Sequence, residues 1–120
     1  MDSYNILVVE DDQDINRLLC RILTDGGYDV RPAFSGSEAV LWAEQYDYDL
    51  VLLDPPYGKG ILQRVLPALV PRLSDDAMVV CESGRDEELP AQVGSFVLDR
   101  ERRHGKTKIA LYLRGKDLAE

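Results

Sequence analysis

Four carboxylates are spaced so that they could work together. Glu10, Asp11 and Asp12 follow the apolar run "YNILVV", and Asp54 closes the apolar run "YDLVLLD". If these runs are neighbouring parallel strands, their carboxyl ends meet in one crevice, where open α/β sheets bind ligands. Carboxylate oxygens are hard ligands, and a set with few of them and open water positions suits Mg²⁺. Glu10, Asp11 and Asp54 are the candidate metal ligands, with Asp12 ancillary. An aspartate beside such a metal can attack a phosphoryl group and carry it, which makes Asp54 a candidate phosphoacceptor. The plainer reading is that acids after strands merely favour helix starts.

Asp54 also opens the stretch "DPPYGKG". Two prolines hold a loop extended, since each fixes its own φ and restricts the residue before it. Such a loop can aim the Asp54 carboxylate and the Pro55 carbonyl at one amino group. Tyr57 can then stack on a planar base. Asp54, Pro55, Pro56 and Tyr57 are therefore candidate base-binding residues. Further on, Arg100, Arg102, Arg103, Lys106 and Lys108 cluster around a turn. On their own they read as an exposed hairpin kept soluble by charge. His104 stands alone and reads as a turn residue. Cys20 and Cys81 lie inside apolar segments with no metal spacing, so they read as reduced structural thiols.

The elements that must position these residues follow from periodicity. "YNILVV" reads as a buried strand. A helix runs from about Asp14 to Asp25, with an apolar face of Ile15, Leu18, Leu19, Ile22 and Leu23, and Gly26-Gly27 stops it. "YDVRPAF" is a second strand. Ser35 or Ser37 caps a helix to about Tyr46, with Ala39, Val40 and Ala43 inward. "YDLVLLD" is a third strand, apolar on both faces like a central parallel strand. Ile61, Leu62, Val65, Leu66, Leu69 and Val70 mark a third helix, which Pro67 should kink or split. "AMVVCE" is a fourth strand, and "SGRDEELPAQ" is a loop or single helical turn. "SFVLDRE" and "KIALYLR" are strands five and six, joined through "RRHGKT" as an antiparallel hairpin. The expected fold is α/β: a three-layer, doubly wound, mostly parallel sheet of six strands. Its order is 2-1-3-4-6-5, with strand 6 antiparallel.

The 120 residues suffice for one domain. No apolar run reaches membrane-spanning length and the N-terminus is acidic, so a cytoplasmic protein with no membrane partner is expected. Residues 1–54 carry 12 acidic and 3 basic side chains, whereas residues 55–120 carry 10 and 11. A net charge of −8 makes nonspecific RNA binding unfavourable, and RNA is not an expected partner.

"ILVVEDDQDINRLLCRIL", "GYDVRPAFSGSEAV" and "YDLVLLD" together resemble the receiver domain of bacterial response regulators over residues 4–54. That resemblance implies Glu10 and Asp11 as the Mg²⁺ pair and Asp54 as phosphoacceptor. The receiver's switch hydroxyl would fall to Ser83, and its Lys-Pro is absent. Residues from about 48 to 114, with "DPPYGKGILQRVLPAL", "VVCES", "ELPAQVG" and "RERRHGKTKIALYLR", resemble the C-terminal half of amino-group methyltransferases. The nearest likeness is to the bacterial small-subunit rRNA guanine methyltransferases, which have a Rossmann-like fold. That resemblance implies a base grip by Asp54, Pro55, Pro56 and Tyr57, with Arg100, Arg102, Arg103, Lys106 and Lys108 near RNA phosphates. The family's glycine-rich loop for S-adenosylmethionine is replaced by "VEDDQDI", so that cofactor is not expected.

Two half-resemblances meeting at residue 54 imply a chimera, engineered rather than natural. Its receiver-like half would be 1–54, its methyltransferase-like half 55–114 and its tail 115–120. The expected function is a folded scaffold without complete activity, and so not an enzyme. One alternative is a residual receiver site taking Mg²⁺ and phosphate from a histidine kinase or small phosphodonor. The other is a working S-adenosylmethionine-dependent rRNA methyltransferase.

Overall fold

The computed structural model describes residues 4–54 and 60–115. Seven strands form one sheet in the order β2-β1-β3-β4-β7-β6-β5. The strands are β1 (Asn5–Glu10), β2 (Asp29–Ala33), β3 (Leu50–Asp54), β4 (Met78–Gly84), β5 (Gln92–Val93), β6 (Phe96–His104) and β7 (Thr107–Arg114). The first four pair in parallel, and β7 runs antiparallel to β4 and to β6. The expected order is thus kept, with one strand added. That strand, β5, is a two-residue pairing with β6 inside the stretch expected to be a loop or helical turn. Two residues carry too little periodicity to be read in advance.

Three helices connect the parallel strands: α1 (Gln13–Asp25), α2 (Gly36–Gln45) and α3 (Ile61–Leu69). The Asp12 carboxylate caps α1 by accepting from the Asp14 and Ile15 amides. Ser35 caps α2 by accepting from the Glu38 amide, while Glu38 accepts from the Phe34 amide. This is a reciprocal box one residue longer than usual. Pro67 sits inside α3 without ending it, and a 3₁₀ turn at Val70–Arg72 follows. The hairpin between β6 and β7 is tighter than expected, since pairing persists to His104 opposite Thr107. Gly105, at φ 56°, makes the turn possible.

The core lies between the sheet and α2 and α3. Leu7, Val9, Val51, Leu53, Val79, Cys81, Ala110 and Tyr112 meet Leu62, Leu66 and Leu69 there. The opposite face is covered differently. Asn16, not an apolar residue, is the fully buried position of α1. Ile15, Leu18 and Ile22 are exposed. The expected apolar face of α1 is therefore rotated. The Asn16 amide donates to the carbonyls of Val8, Glu10 and Ala33 at 3.3, 3.0 and 3.0 Å. Three carbonyls at strand ends demanded a donor more strongly than the helix demanded another aliphatic contact.

No helix among the described residues is long and apolar enough to cross a membrane.

Candidate functional site

Parallel pairing sets Glu10 beside Asp54. Both project from carboxyl ends of central strands, as expected. Glu10 is only 6 % exposed. One of its oxygens accepts from the Asp12 amide at 2.8 Å. Burial, helped by the carboxyls of Asp54 and Asp11, raises its pKa from 4.5 to about 7. Burial also raises that of Asp54, as do the charges of Glu82 and Asp11, while the hydrogen bond from Glu10 opposes the rise. Both carboxyls are thus held toward the protonated form as a coupled pair.

A crevice of about 200 Å³ lies over this pair, lined by Val9, Glu10, Asp11, Phe34, Ser35, Gly36, Asp54 and Ile61. Val9, Phe34 and Ile61 give it an apolar wall. The sequence pointed to its acids but not to this wall, because Phe34 and Ile61 come from the end of β2 and the start of α3. Gly36 has a signal only in three dimensions. A Cβ at Gly36 would stand 2.4 Å from Val65 Cγ2. Only glycine lets α2 and α3 close together here. Gly36→Ala is expected to cost about 1–3 kcal/mol through overpacking. Val65→Ala should recover part of it, so the double variant loses less than the two single losses combined. Urea unfolding of all four proteins measures this coupling.

The expected metal set is Glu10, Asp11 and Asp54. Among the described residues no group of three or more such ligands is arranged to hold a metal ion. Asp11 is exposed at the rim, beside the paired Glu10 and Asp54. Ser83 is buried and its hydroxyl donates to the Gly84 carbonyl. Lys106 is exposed in the hairpin turn.

Pro55, Pro56 and Tyr57 lie outside the described residues. Of the basic cluster, Arg100, Arg102, Arg103 and Lys106 are exposed. Lys108 is not with them. It is 3 % exposed and pairs with Glu101 at 3.0 Å, while donating to the Glu87 carbonyl. Alternation along β7 turns it inward, so its charge is not offered to a solvent-side partner.

The family model described as "Conserved hypothetical protein 95" matches residues 5–113. The "Putative rRNA methyltransferase YlbH" of Bacillus subtilis is 36% identical over 64 residues, covering 52% of this chain and 35% of that protein. The "Ribosomal RNA small subunit methyltransferase D" of Escherichia coli is 26% identical over 110 residues, covering 89% of this chain and 56% of that protein. A "conserved hypothetical protein" of Streptococcus pyogenes has the same fold, with TM-score 0.72 and 21% identity. It covers 96% of this chain and 88% of that one. A partial likeness to response regulators also exists. The "Uncharacterized transcriptional regulatory protein YrkP" of Bacillus subtilis is 48% identical over 52 residues, covering 43% of this chain and 22% of that protein. The chain spans about a third to a half of the curated methyltransferases it matches.

These findings correct the expectation of an engineered chimera. One family model passes through residue 54 without a break, and one solved fold covers nearly the whole chain. The fold is Rossmann-like, with a parallel core and antiparallel C-terminal strands, as in that solved structure. They equally correct the expectations of an inactive scaffold and of no S-adenosylmethionine, because curated relatives matched by the chain are named as methyltransferases.

Proposed function

The chain belongs to the family described as "Conserved hypothetical protein 95", and from that premise we propose an activity. It is the methyl-transfer domain of an S-adenosylmethionine-dependent enzyme acting on an exocyclic amino group of an RNA base. The observation that carries this reading is the Glu10–Asp54 pair under an apolar wall at the carboxyl ends of β1 and β3. The residues present fit the donor in sign and shape. S-adenosylmethionine supplies an electrophilic methyl group on a positively charged sulfur. Asp11, Asp54 and Glu82 make the crevice negative, which favours a cation. Val9, Phe34 and Ile61 suit one face of a planar ring. The described crevice is smaller than the roughly 300–1,000 Å³ of whole-ligand pockets, so it is read as the seat of part of the donor.

Asp54 has a second task in this proposal. Its carboxylate accepts a hydrogen bond from the target amino group, holding the nitrogen lone pair in position. Pro55, Pro56 and Tyr57 would complete the grip on the base, and Arg100, Arg102, Arg103 and Lys106 would face RNA phosphates. The names of the two methyltransferase relatives support the choice of rRNA as substrate class.

The test is isothermal titration with S-adenosylmethionine. Saturable binding is expected, weakened at least tenfold by Asp54→Asn, which removes a negative charge from the crevice. Binding of the demethylated product, whose sulfur carries no charge, should be less sensitive to that substitution. No saturable binding to the folded parent chain would refute the reading.

A further inference from the structure

No helix or strand forms between Arg85 and Ala91, yet the carbonyls of this segment are taken. Arg103 Nε donates to the Arg85 carbonyl at 3.4 Å, and Lys108 donates to that of Glu87. Gln63 donates to the Glu88 carbonyl at 2.6 Å, and the Tyr112 hydroxyl to that of Pro90 at 2.7 Å. A segment without regular structure must find donors for its carbonyls elsewhere. Here they are side chains of α3, β6 and β7.

Arg85 adds two more ties. Its amide donates to the Lys106 carbonyl at 2.9 Å, and its Nη1 to the Gly105 carbonyl at 3.0 Å. Residues 85–90 are therefore bound along their length to the β6–β7 hairpin. They also reach the site. β3 and β4 run parallel, so the segment leaves the sheet at the same end as Asp54. Gln63 sits in the first turn of α3, two residues after Ile61, which lines the crevice. The segment thus joins the hairpin carrying Arg100, Arg102 and Lys106 to the helix start that borders Asp54.

Lys108 is the costly member of this set. Its ammonium group is buried, and the Glu101 carboxylate at 3.0 Å must make up for lost hydration. A buried ion pair adds little net stability over apolar residues of the same size. What it adds is geometry, because one amine must meet a carboxylate on β6 and a loop carbonyl together. We infer that Lys108, with Tyr112, is a positioning residue for the RNA substrate. It holds residues 85–90 and the hairpin as one body. Arginines on the hairpin and the Asp54 carboxylate then meet a phosphate and a base of one strand in fixed register. Lys108 acts through these ties and not by touching a phosphate. The inference rests on the proposed methyl transfer to RNA.

Methyl transfer from labelled S-adenosylmethionine to an unmodified transcript of small-subunit rRNA tests it. The variants are Tyr112→Phe, which keeps the buried ring, and the double variant Lys108→Met/Glu101→Gln, which leaves neither charge unpaired. Isothermal titration should show the parent's donor affinity and stoichiometry in both. The RNA KM is expected to rise about fivefold in the double variant and about twofold in Tyr112→Phe. A role in stability alone would lower the folded fraction, and so kcat, without moving KM. An unchanged RNA KM in variants that bind the donor normally overturns this inference alone. A parent chain that binds the donor and methylates no rRNA overturns the substrate class and this inference with it. A parent that binds no donor overturns the proposed activity as a whole.

Discussion

Asn16→Asp is expected to destabilise the fold by about 4 kcal/mol or more, a large share of the roughly 5–15 kcal/mol typical of a domain. The native amide is fully buried and donates to three carbonyls that belong to β1 and β2. Its own oxygen accepts from the Cys20 thiol at 3.2 Å. A carboxylate in the same shape offers these carbonyls no donor and adds a buried charge against their negative ends. Asn16→Leu removes the donor without adding charge, and should cost about 2 kcal/mol. The order of stability is therefore parent, then Leu, then Asp. A further sign follows for the aspartate. Burial raises its pKa in the folded state, so the penalty is present when it is ionised and shrinks as pH falls. Urea unfolding at neutral and acid pH measures both effects. An Asp variant within about 1 kcal/mol of the parent would mean that the three carbonyls have other partners.

Asn16 also marks the limit of what the sequence displays. The strands β1, β3 and β4 are legible because aliphatic runs have few alternatives to burial. The pairing of Glu10 with Asp54 is legible for the same reason, since each acid closes a run. The orientation of α1 is not. Counting apolar residues chooses Ile15, Leu18, Leu19, Ile22 and Leu23, whereas the structure buries Asn16, half-buries Leu19, Cys20 and Leu23, and leaves Ile15, Leu18 and Ile22 exposed. The deciding factor is the hydrogen-bonding need of strands packed beneath the helix, which no local pattern records. The apolar wall of the crevice is hidden in the same way, being assembled from Phe34 and Ile61, 27 positions apart. The false seam at Asp54 has a related cause. A central strand ending in aspartate is written alike by receivers and methyltransferases, because both folds place chemistry at that strand end. Local resemblance therefore changed family where the sheet itself did not.

Glu10→Gln is expected to stabilise the protein at pH 8 and to leave it nearly unchanged at pH 4. Glu10 has a folded pKa of about 7 against an ordinary 4.5. Below 4.5 the acid is protonated in both states and makes no difference. Between 4.5 and about 7 the unfolded chain releases its proton while the folded chain keeps it, so stability falls as pH rises. Above 7 the full penalty is in place. That interval sets an upper bound of about 3 kcal/mol, and about 2 kcal/mol is expected in a crevice that admits water. Glutamine copies the protonated acid. Its oxygen can accept from the Asp12 amide, and its nitrogen can donate to Asp54. The raised pKa of Asp54 works in the same direction, so the parent slope should flatten in the variant without vanishing. Urea unfolding in steps from pH 4 to pH 8 gives both curves. Parallel curves would mean that Glu10 is ionised in the folded state throughout. The negative field at the end of β1 and β3 would then be present even in the empty crevice. With the slope as expected, a cation entering that crevice must displace the Glu10 proton, and its affinity should rise as pH passes through about 7.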